Sequence, residues 1–487
     1  MSTSFLERIK IPHVFVLLLG VILFCSVLTY FIPSGEYNRE ERTVGTLTRT
    51  MVVPGTYQTI PKHYSAQGIL FDDKVEGKAS PVSLQGFLSS VPRGMEQAAD
   101  IIFFIFVIGG VFGILQRTGM IIALLNKLLN IFRDSGWLLT VIIMIVIAIG
   151  GSTLGMGEEF IPLVPLFLIV SKELGYDRIY GLAMVMLAAD VGFASATTNP
   201  FTLQIAQGIA ELPLLNDFHF RILFFVCIMA VALVYVLRYG AKIKKDPNNS
   251  YMPHDDFELE AHHQDIQKTE LTNAHIYTFV VCLIIFVFIL FAVQELGWWM
   301  AEMGGGFLLM GIAATIFSRL SIDEATKAFI KGMEEMVVAA LVVGFAKGIQ
   351  VVLDDAMVLD TLIFSAANLL RHFPDYVAAQ GMLLFQTVLN FFIPSGSGQA
   401  AVTMPLMAPL ADVLGITRQS AVFAFTCGDG FSNTIIPTSG VLMAMLALAK
   451  IPYTTWLRFM FPLFLQLMVV SAFFLLISVV YPVVWTW

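Results

Sequence analysis

Two apolar regions of the sequence are interrupted by small polar residues that a membrane-buried helix does not need. The first reads GSTLGMGEEFIPLVPL over residues 151–166, and the second reads SGSGQAAVTMPLMAPL over residues 395–410. Glycines permit sharp turns and close approach to the backbone, while Ser and Thr hydroxyls add hydrogen-bond donors and acceptors. Exposed backbone at membrane depth is tolerated only where protein or a water-filled cavity satisfies it. The two interruptions therefore predict sites for an ion or a small polar molecule.

A second pair of interruptions combines Asp, Gly and Pro with hydroxyl and amide side chains. LAADVGFASATTNP covers residues 187–200, and FTCGDGFSNTIIP covers residues 425–437. Proline removes a backbone donor and disrupts the preceding turn. The freed carbonyls, together with Ser and Asn oxygens, could hold a hard cation such as Na⁺, which we expect near Ser397, Ser432 and Asn433. The alternative interpretation is a pair of proline kinks packed by small residues.

Charged and amide side chains accompany all four interruptions. Glu158 and Glu159 lie in the first, Gln399 occupies the matching place in the second, and Asp190 and Asp429 flank the other two. An ionisable residue inside a membrane is a functional-site hypothesis by default. Acidic side chains beside a cavity favour a cationic group of a substrate, or a coupling Na⁺ or H⁺. A dianion would require these carboxylates to be protonated or bound to a cation.

Lys347 lies in a different apolar run from these interruptions. We expect its long side chain to extend toward Asp354 or Asp355 at the membrane surface, as lysines near helix ends often do. A role in substrate binding is the alternative. On the first interpretation, replacing Lys347 with alanine has a mild effect.

The composition requires a membrane protein. Of 487 residues, 57% are hydrophobic and 13% are charged, and the mean hydropathy is +0.79, whereas soluble proteins carry about 25% charged residues. The apolar runs are too long for the alternating ten-residue strands of a β-barrel. We therefore predict an all-α polytopic membrane protein. Full spans are expected at residues 12–32, 98–116, 179–206, 219–238, 274–294, 304–318, 335–353, 418–449 and 456–484.

The distribution of Lys and Arg predicts the orientation. Basic residues cluster before the first span and at the start of the 239–272 linker, which places the N-terminus and this linker in the cytoplasm and the C-terminus outside. Residues 33–90 then form a long extracytoplasmic segment. The first span resembles a signal sequence but is long enough to be retained. His254, His262 and His263 in the linker suggest a metal site, although a solvated linker is the simpler interpretation.

The two halves of the chain repeat. Residues 83–119 match 321–356, with Gly94-Met95-Glu96 aligned to Gly332-Met333-Glu334, and the two pairs of interruptions follow in the same order. By the predicted orientation the repeats are inverted, which is the sequence pointer to a secondary transporter. The domains are then residues 1–238, the linker 239–272 and residues 273–487. Each repeat holds a re-entrant hairpin (about 136–171 and 377–410) and an unwound helix (about 179–206 and 418–449).

Other classes of protein fit less well. A channel would need a continuous polar pore rather than two closed hairpins. A membrane enzyme would need metal ligands or a nucleophile with its base, and neither an H-E-x-x-H motif nor a nucleophile elbow is present. The sequence also lacks a Walker A motif, so transport driven by ATP through this chain alone is not expected. No cofactor is predicted, and the four cysteines show no metal spacing.

The stretches FFIPSGSGQA, GSTLGMGEE, GFSNT and GFASATTNP resemble the C4-dicarboxylate anaerobic carrier family, especially its YfcC-like branch of basic amino acid antiporters. That family resembles the wider ion-transporter superfamily. The resemblance implies an inner-membrane secondary transporter, a homodimer, with a fixed scaffold and an elevator-like moving domain. It implies either arginine/ornithine-type exchange, which the acidic residues favour, or Na⁺- or H⁺-coupled dicarboxylate transport.

Residues carried over by position complete the predicted binding site. In the first half, Ala194-Ser195-Ala196-Thr197 departs from the Ser-Asn-Thr pattern of the superfamily, which puts a symmetric pair of sodium sites in doubt. The predicted substrate- and ion-binding residues are Ser152, Thr153, Gly155, Gly157, Glu158, Glu159, Asp190, Thr197, Thr198, Asn199, Ser395, Gly396, Ser397, Gly398, Gln399, Asp429, Ser432, Asn433 and Thr438.

Overall fold

The computed structural model describes residues 14–44, 47–132, 135–214, 217–253 and 271–486. The three linker histidines, and with them the suggested metal site, lie outside the described residues. The first half contains the helices α1 (Val14–Leu28), α2 (Gln67–Leu70), α3 (Leu84–Gln97), α4 (Ala99–Arg117), α5 (Met120–Ile131), α6 (Gly136–Leu154), α7 (Val164–Glu173), α8 (Arg178–Leu182), α9 (Ala188–Ala194), α10 (Leu203–Ile209) and α11 (Phe218–Lys245).

The second half is also helical. It contains α12 (Asn273–Glu295), α13 (Met300–Ser318), α14 (Ile322–Glu335), α15 (Val337–Asp355), α16 (Leu359–Leu370), α17 (Asp375–Leu389), α18 (Gly396–Leu414), α19 (Arg418–Ser432), α20 (Gly440–Ala449) and α21 (Tyr453–Val480). A π-helical turn covers Ala183–Leu187, and short 3₁₀ helices cover Glu158–Leu163, Pro247–Asn249 and Pro482–Thr486.

Seven helices of the described chain are long and apolar enough to cross a bilayer: α4, α6, α11, α12, α13, α15 and α21. Large apolar side chains such as Ile284, Val287 and Phe291 are exposed along α12, as expected where a helix faces lipid rather than water. The protein is a multi-pass membrane protein, as predicted. The helix expected at 304–318 begins earlier, at Met300, and α1 ends at Leu28, before the limit of the predicted span.

The four predicted interruptions are all breaks in helices. Residues 155–157 and a 3₁₀ turn separate α6 from α7, and residues 390–395 separate α17 from α18. Residues 195–202 separate α9 from α10, and residues 433–439 separate α19 from α20. The 19 residues of α6 extend for about 28 Å at 1.5 Å per residue, which is close to the thickness of a bilayer core. The return of each hairpin to its side of entry stays a prediction.

The α3–α4 unit and the α14–α15 unit pack against each other in opposite directions. Arg93 near the end of α3 binds Asp355 at the end of α15 (2.8 Å), and Arg117 at the end of α4 binds Glu324 at the start of α14 (2.8 Å). Glycines allow close packing at both crossings, because a Cβ on Gly94 would lie 2.5 Å from the Gly344 carbonyl oxygen. Small residues serve the same purpose in membrane helix pairs generally.

The segment between α1 and α3 contains four short strands that the sequence did not predict. They are β1 (Ser34–Glu36), β2 (Arg39–Val44), β3 (Leu47–Val52) and β4 (Gln58–Ile60). β1 pairs antiparallel with β4, and β2 with β3. The segment docks on the junction of α15 and α16, where Ser34 Oγ donates to the Ala356 carbonyl (2.6 Å). It therefore lies at the C-terminal end of α15.

Candidate functional site

The first hairpin break is built around a glycine that no other residue could replace without strain. Gly155 ends α6 with φ +66°, in the left-handed region that glycine adopts freely. A Cβ added there would lie 2.4 Å from Oδ1 of Asn199. Asn199 Oδ1 in turn accepts from the backbone N–H of Phe201 (2.9 Å). The hairpin break and the broken helix after α9 are thus in direct contact.

Hydroxyl groups hold these two segments together. Ser152 Oγ donates to the Ser195 carbonyl (3.0 Å), and the Thr197 N–H donates to the Ser152 carbonyl (2.9 Å). Thr198 Oγ1 donates to the Thr153 carbonyl (3.0 Å). Backbone groups that α9 leaves free at its end are therefore paired with the hairpin, which is the condition for a broken helix inside a membrane protein.

Asn390, which the sequence analysis did not select, holds the second half together in the same way. Its Nδ2 lies within hydrogen-bonding distance of the Asp429 carbonyl (2.8 Å), Ser432 Oγ (2.8 Å) and Asn433 Oδ1 (2.9 Å). Gln399 is fully buried, and its Nε2 donates to Oε1 of Gln386 across the hairpin (2.7 Å). Gln399 therefore stabilises the hairpin by connecting its two helices, α17 and α18.

The broken segments of the two halves are in direct contact with each other. A Cβ on Gly430 in α19 would lie 2.4 Å from Cα of Ala194 in α9. A Cβ on Gly396, the first residue of α18, would lie 2.5 Å from Thr202 Cγ2 and 2.9 Å from Asp429 Oδ2. The sequence patterns that the analysis treated as two separate pairs thus form one cluster.

A cavity of about 210 Å³ opens between the two hairpin breaks and the two broken helices. Ten of the predicted residues line it, and the other nine do not. The lining residues are Gly155, Gly157, Glu158, Glu159, Asp190, Ser395, Gly396, Ser397, Asn433 and Thr438. The residues outside the lining are Ser152, Thr153, Thr197, Thr198, Asn199, Gly398, Gln399, Asp429 and Ser432.

Lys347 also lines this cavity, which favours the alternative interpretation of a role in substrate binding, while its extension toward Asp354 stays a prediction. Its Nζ donates to Oε1 of Gln350, one turn along α15 (2.7 Å), while Asp355 binds Arg93 instead. Gln97 and Trp299 are further lining residues that the sequence analysis missed. The sequence did contain an indication for Lys347, because a charged residue within a membrane span is a candidate for a functional role.

Several buried oxygens around the cavity have no hydrogen-bond donor in the described part of the chain. They include both carboxylate oxygens of Asp429, Oδ2 of Asp190, Oε1 of Gln399 and the hydroxyl of Thr438. Burying an unpaired carboxylate is costly, so such a group is stable when it carries a proton or faces a cation. These oxygens therefore suit an H⁺ or a hard cation such as Na⁺.

Two of the three predicted sodium ligands line the cavity, and the third does not. Ser397 lines the cavity, and so does Asn433, but the buried Ser432 hydroxyl donates to the Gly428 carbonyl (2.7 Å). Among the described residues, no group of three or more His, Cys, Asp or Glu side chains could hold a metal ion. A cation here would therefore combine no more than two acidic side chains with hydroxyl, amide and backbone oxygens.

Asp217 and Arg221 form a buried ion pair beside the first broken helix, and the sequence analysis missed it. Arg221 is 1% exposed and its Nε binds Oδ2 of Asp217, while Gln207 Nε2 donates to Oδ1 of Asp217 (2.9 Å). Arg221 Nη1 also lies 3.4 Å from the Ala196 carbonyl and from Thr426 Oγ1. The pair thus connects α11 to the break after α9 and to α19.

A family profile decides the identity: DcuC, the C4-dicarboxylate anaerobic carriers, matches residues 11–480. The chain belongs to the C4-dicarboxylate anaerobic carrier family. It is therefore a transporter, and the resemblance noted in the sequence is confirmed. A relative in Escherichia coli K12, named "Putative basic amino acid antiporter YfcC", is 33% identical over 473 residues, or 93% of each chain. An uncharacterised protein of Haemophilus influenzae is 28% identical over 515 residues, or 97% of this chain and 98% of that one.

Two solved transporter structures align with nearly the whole chain at low similarity. The YdaH transporter of Alcanivorax borkumensis covers 97% of this chain and 99% of its own, with 16% identity and a TM-score of 0.45. MtrF of Neisseria gonorrhoeae, described with a class of antimetabolite efflux pumps, covers 97% and 96%, with 17% identity and a TM-score of 0.44. Because both scores are below 0.5, the assignment to the carrier family rests on the sequence matches.

Proposed function

We propose that the protein exchanges basic amino acids, in an arginine/ornithine-type antiport, across the bacterial inner membrane. The observation that carries this proposal is the charge of the cavity. Glu158, Glu159 and Asp190 line it together with a single lysine, Lys347. If all four groups are ionised, the lining has a surplus of two negative charges.

Arginine and ornithine complement this arrangement. Each carries two cationic groups and one carboxylate, so the ammonium and the side-chain cation would face the three acids while the carboxylate would face Lys347. A dicarboxylate would place its second negative charge against the acids, which is unfavourable unless they are protonated or bound to a cation. The antiporter name of the Escherichia coli relative supports the same substrate class.

The packing of the two halves supports an inverted repeat. The α3–α4 and α14–α15 units exchange equivalent contacts in opposite directions, and glycines permit close crossings of α6 with α9 and of α17 with α19. Two such repeats around a central site are typical of secondary transporters that alternate access by moving one bundle against another. We propose an elevator-like movement of the hairpins and broken helices relative to the α3–α4 and α14–α15 units.

Na⁺- or H⁺-coupled transport of C4-dicarboxylates is the second candidate. The unpaired oxygens of Asp429 and Asp190 favour it, because a coupling cation or proton would satisfy them. In that case the acids would serve the coupling ion, and Lys347 would face one carboxylate of the substrate. The cytoplasmic N-terminus, the extracytoplasmic C-terminus and the homodimer also remain proposals.

Counterflow in proteoliposomes tests the substrate. Vesicles loaded with ornithine should accumulate labelled arginine, whereas vesicles loaded with succinate should not accumulate labelled succinate, with or without a Na⁺ gradient. Succinate uptake driven by Na⁺, without arginine counterflow, would show that the second candidate is correct. A linear, unsaturable flux would indicate a channel.

Lys347 provides a sharper test within the same assay. Agmatine is arginine without its carboxylate, so the wild-type protein should prefer arginine as a competitor, and Lys347→Met should lose most of that preference. A charge-assisted hydrogen bond contributes about 1.5–3 kcal/mol, or about 10- to 150-fold in affinity. Lys327→Met, at an exposed surface position, is the matched control and should keep the wild-type preference.

A further inference from the structure

An open groove of about 570 Å³ lies on α11 and shares no lining residue with the central cavity. Ala230, Val234, Arg238 and Lys242 line it, and all four are exposed. Their spacing of four residues places them in one stripe along the helix. Over the 12 residues from Ala230 to Lys242 the stripe extends about 18 Å and changes from apolar to basic.

Two tyrosines that are held by hydrogen bonds form one side of this groove. Tyr235 and Tyr239 line it one residue further along the helix. Tyr235 donates to the Phe459 carbonyl of α21 (2.6 Å), and the Tyr239 hydroxyl binds Oδ2 of Asp177. Tyrosines of this kind are enriched at the interface between a membrane and water. The groove therefore has a fixed shape, and its tyrosines suit the depth where lipid head groups lie.

The two cations of the groove have no partner among the described residues. Within the described ranges, neither the Arg238 guanidinium nor the Lys242 ammonium has an ion pair or a side-chain hydrogen bond. Asp177, the nearby acid, already binds Tyr239 and the Ser250 hydroxyl (2.6 Å). The basic end of the stripe is therefore unpaired within the described ranges, and its other end is apolar. A ligand that is anionic at one end and apolar at the other would complement both ends.

We propose that this groove binds one anionic phospholipid, with its phosphate at Arg238 and Lys242 and an acyl chain along Val234 and Ala230. Basic pockets beside membrane helices bind acidic lipid head groups by the same chemistry. A soluble anion such as phosphate would pair with Arg238 and Lys242 but would leave the apolar end of the stripe, Val234 and Ala230, exposed. The site is independent of the substrate that the central cavity carries.

Lipid retention by the purified full chain tests this site. Native mass spectrometry in a neutral detergent would compare phosphatidylglycerol with phosphatidylcholine of the same acyl chains. The wild type should retain phosphatidylglycerol preferentially, and Arg238→Gln/Lys242→Gln should weaken that retention at least tenfold. Lys327→Gln/Lys331→Gln removes the same number of charges from α14 and should behave as the wild type does.

Two further arms separate the alternatives. Millimolar inorganic phosphate should not displace phosphatidylglycerol from the wild type, whereas efficient displacement would show a soluble-anion site and overturn the proposal. Equal retention of the two lipids by the wild type would also overturn it, as would unchanged phosphatidylglycerol retention by the groove variant. Unchanged thermal unfolding of that variant, measured in parallel, shows that lost retention reflects the groove and not the fold.

Discussion

Replacing Arg221 with leucine should destabilise the protein by about 3–5 kcal/mol. Arg221 is 1% exposed, and its partner Asp217 is fully buried. Removing one member of a buried ion pair leaves the other charge uncompensated in a medium of low dielectric, and that loss typically costs about 3–5 kcal/mol. Gln207 would remain as a donor to Asp217, but a neutral amide cannot balance the carboxylate charge.

The expected loss can be expressed as a shift in the unfolding temperature. An unfolding entropy of about 2.1 cal/mol/K per residue amounts to about 1 kcal/mol/K for 487 residues. The Arg221→Leu variant should therefore unfold about 3–5 °C below the wild type. A thiol-reactive fluorescent dye can follow unfolding, because Cys25, Cys282 and Cys427 are buried in the folded protein. The exposed pair of Lys327 and Asp323 is the control, and breaking it should shift the midpoint by less than 1 °C.

A double-mutant cycle decides whether the charge pair causes the effect. Asp217→Asn combined with Arg221→Gln removes both charges and keeps groups that can hydrogen-bond, so the double variant should be more stable than the sum of the single changes predicts, by about 2 kcal/mol or more. Strictly additive single changes would refute the reasoning. High salt should leave the coupling intact, because a buried pair is screened much less than an exposed one.

Three further predictions concern packing, the site and acid stability. Gly430→Ala should cost about 1–3 kcal/mol, because its Cβ would overlap backbone of α9; unfolding midpoints test this against Gly305→Ala, where nothing lies within 4 Å. Asn433→Ala should abolish counterflow while folding and membrane insertion persist, because Asn433 lines the cavity, and normal uptake by this variant would contradict the proposed site. Hydrogen bonds from Ser65 and His63 lower the pKa of Asp73, so this carboxylate stabilises the extramembrane segment above its unfolded pKa of about 3.9, and that stability is lost as pH falls through the lowered folded value. Asp73→Asn should therefore weaken amide-exchange protection of that segment at pH 6, and this effect should shrink as the pH falls below about 3.9; an effect that stays constant with pH would exclude this role.

Local patterns in the sequence were sufficient to predict a helical multi-pass membrane protein and the four places where its helices break. Apolar length, Gly-rich interruptions and prolines act over a few residues, so α6 and α18 could be expected to begin or end at Gly155 and Ser395, where the structure has breaks. The prediction of the binding site was less complete, because the surroundings of a side chain depend on neighbouring elements of the fold. Gln399 was predicted to bind substrate, yet it is fully buried and bonds to Gln386 on the facing arm of its own hairpin.

The sequence by itself determined that the chain spans a membrane and breaks its helices at four places, because hydropathy and backbone permissiveness are properties of short segments. Only the tertiary structure decided which charges share a space. Lys347 on α15 lines the same cavity as Glu158 and Glu159 near the end of α6, although these residues are far apart in the chain. Arg221 looks isolated in the apolar run of α11 until folding brings it against Ala196 and Thr426. Coulomb and hydrogen-bond energies depend on distance through space, which a linear pattern does not contain.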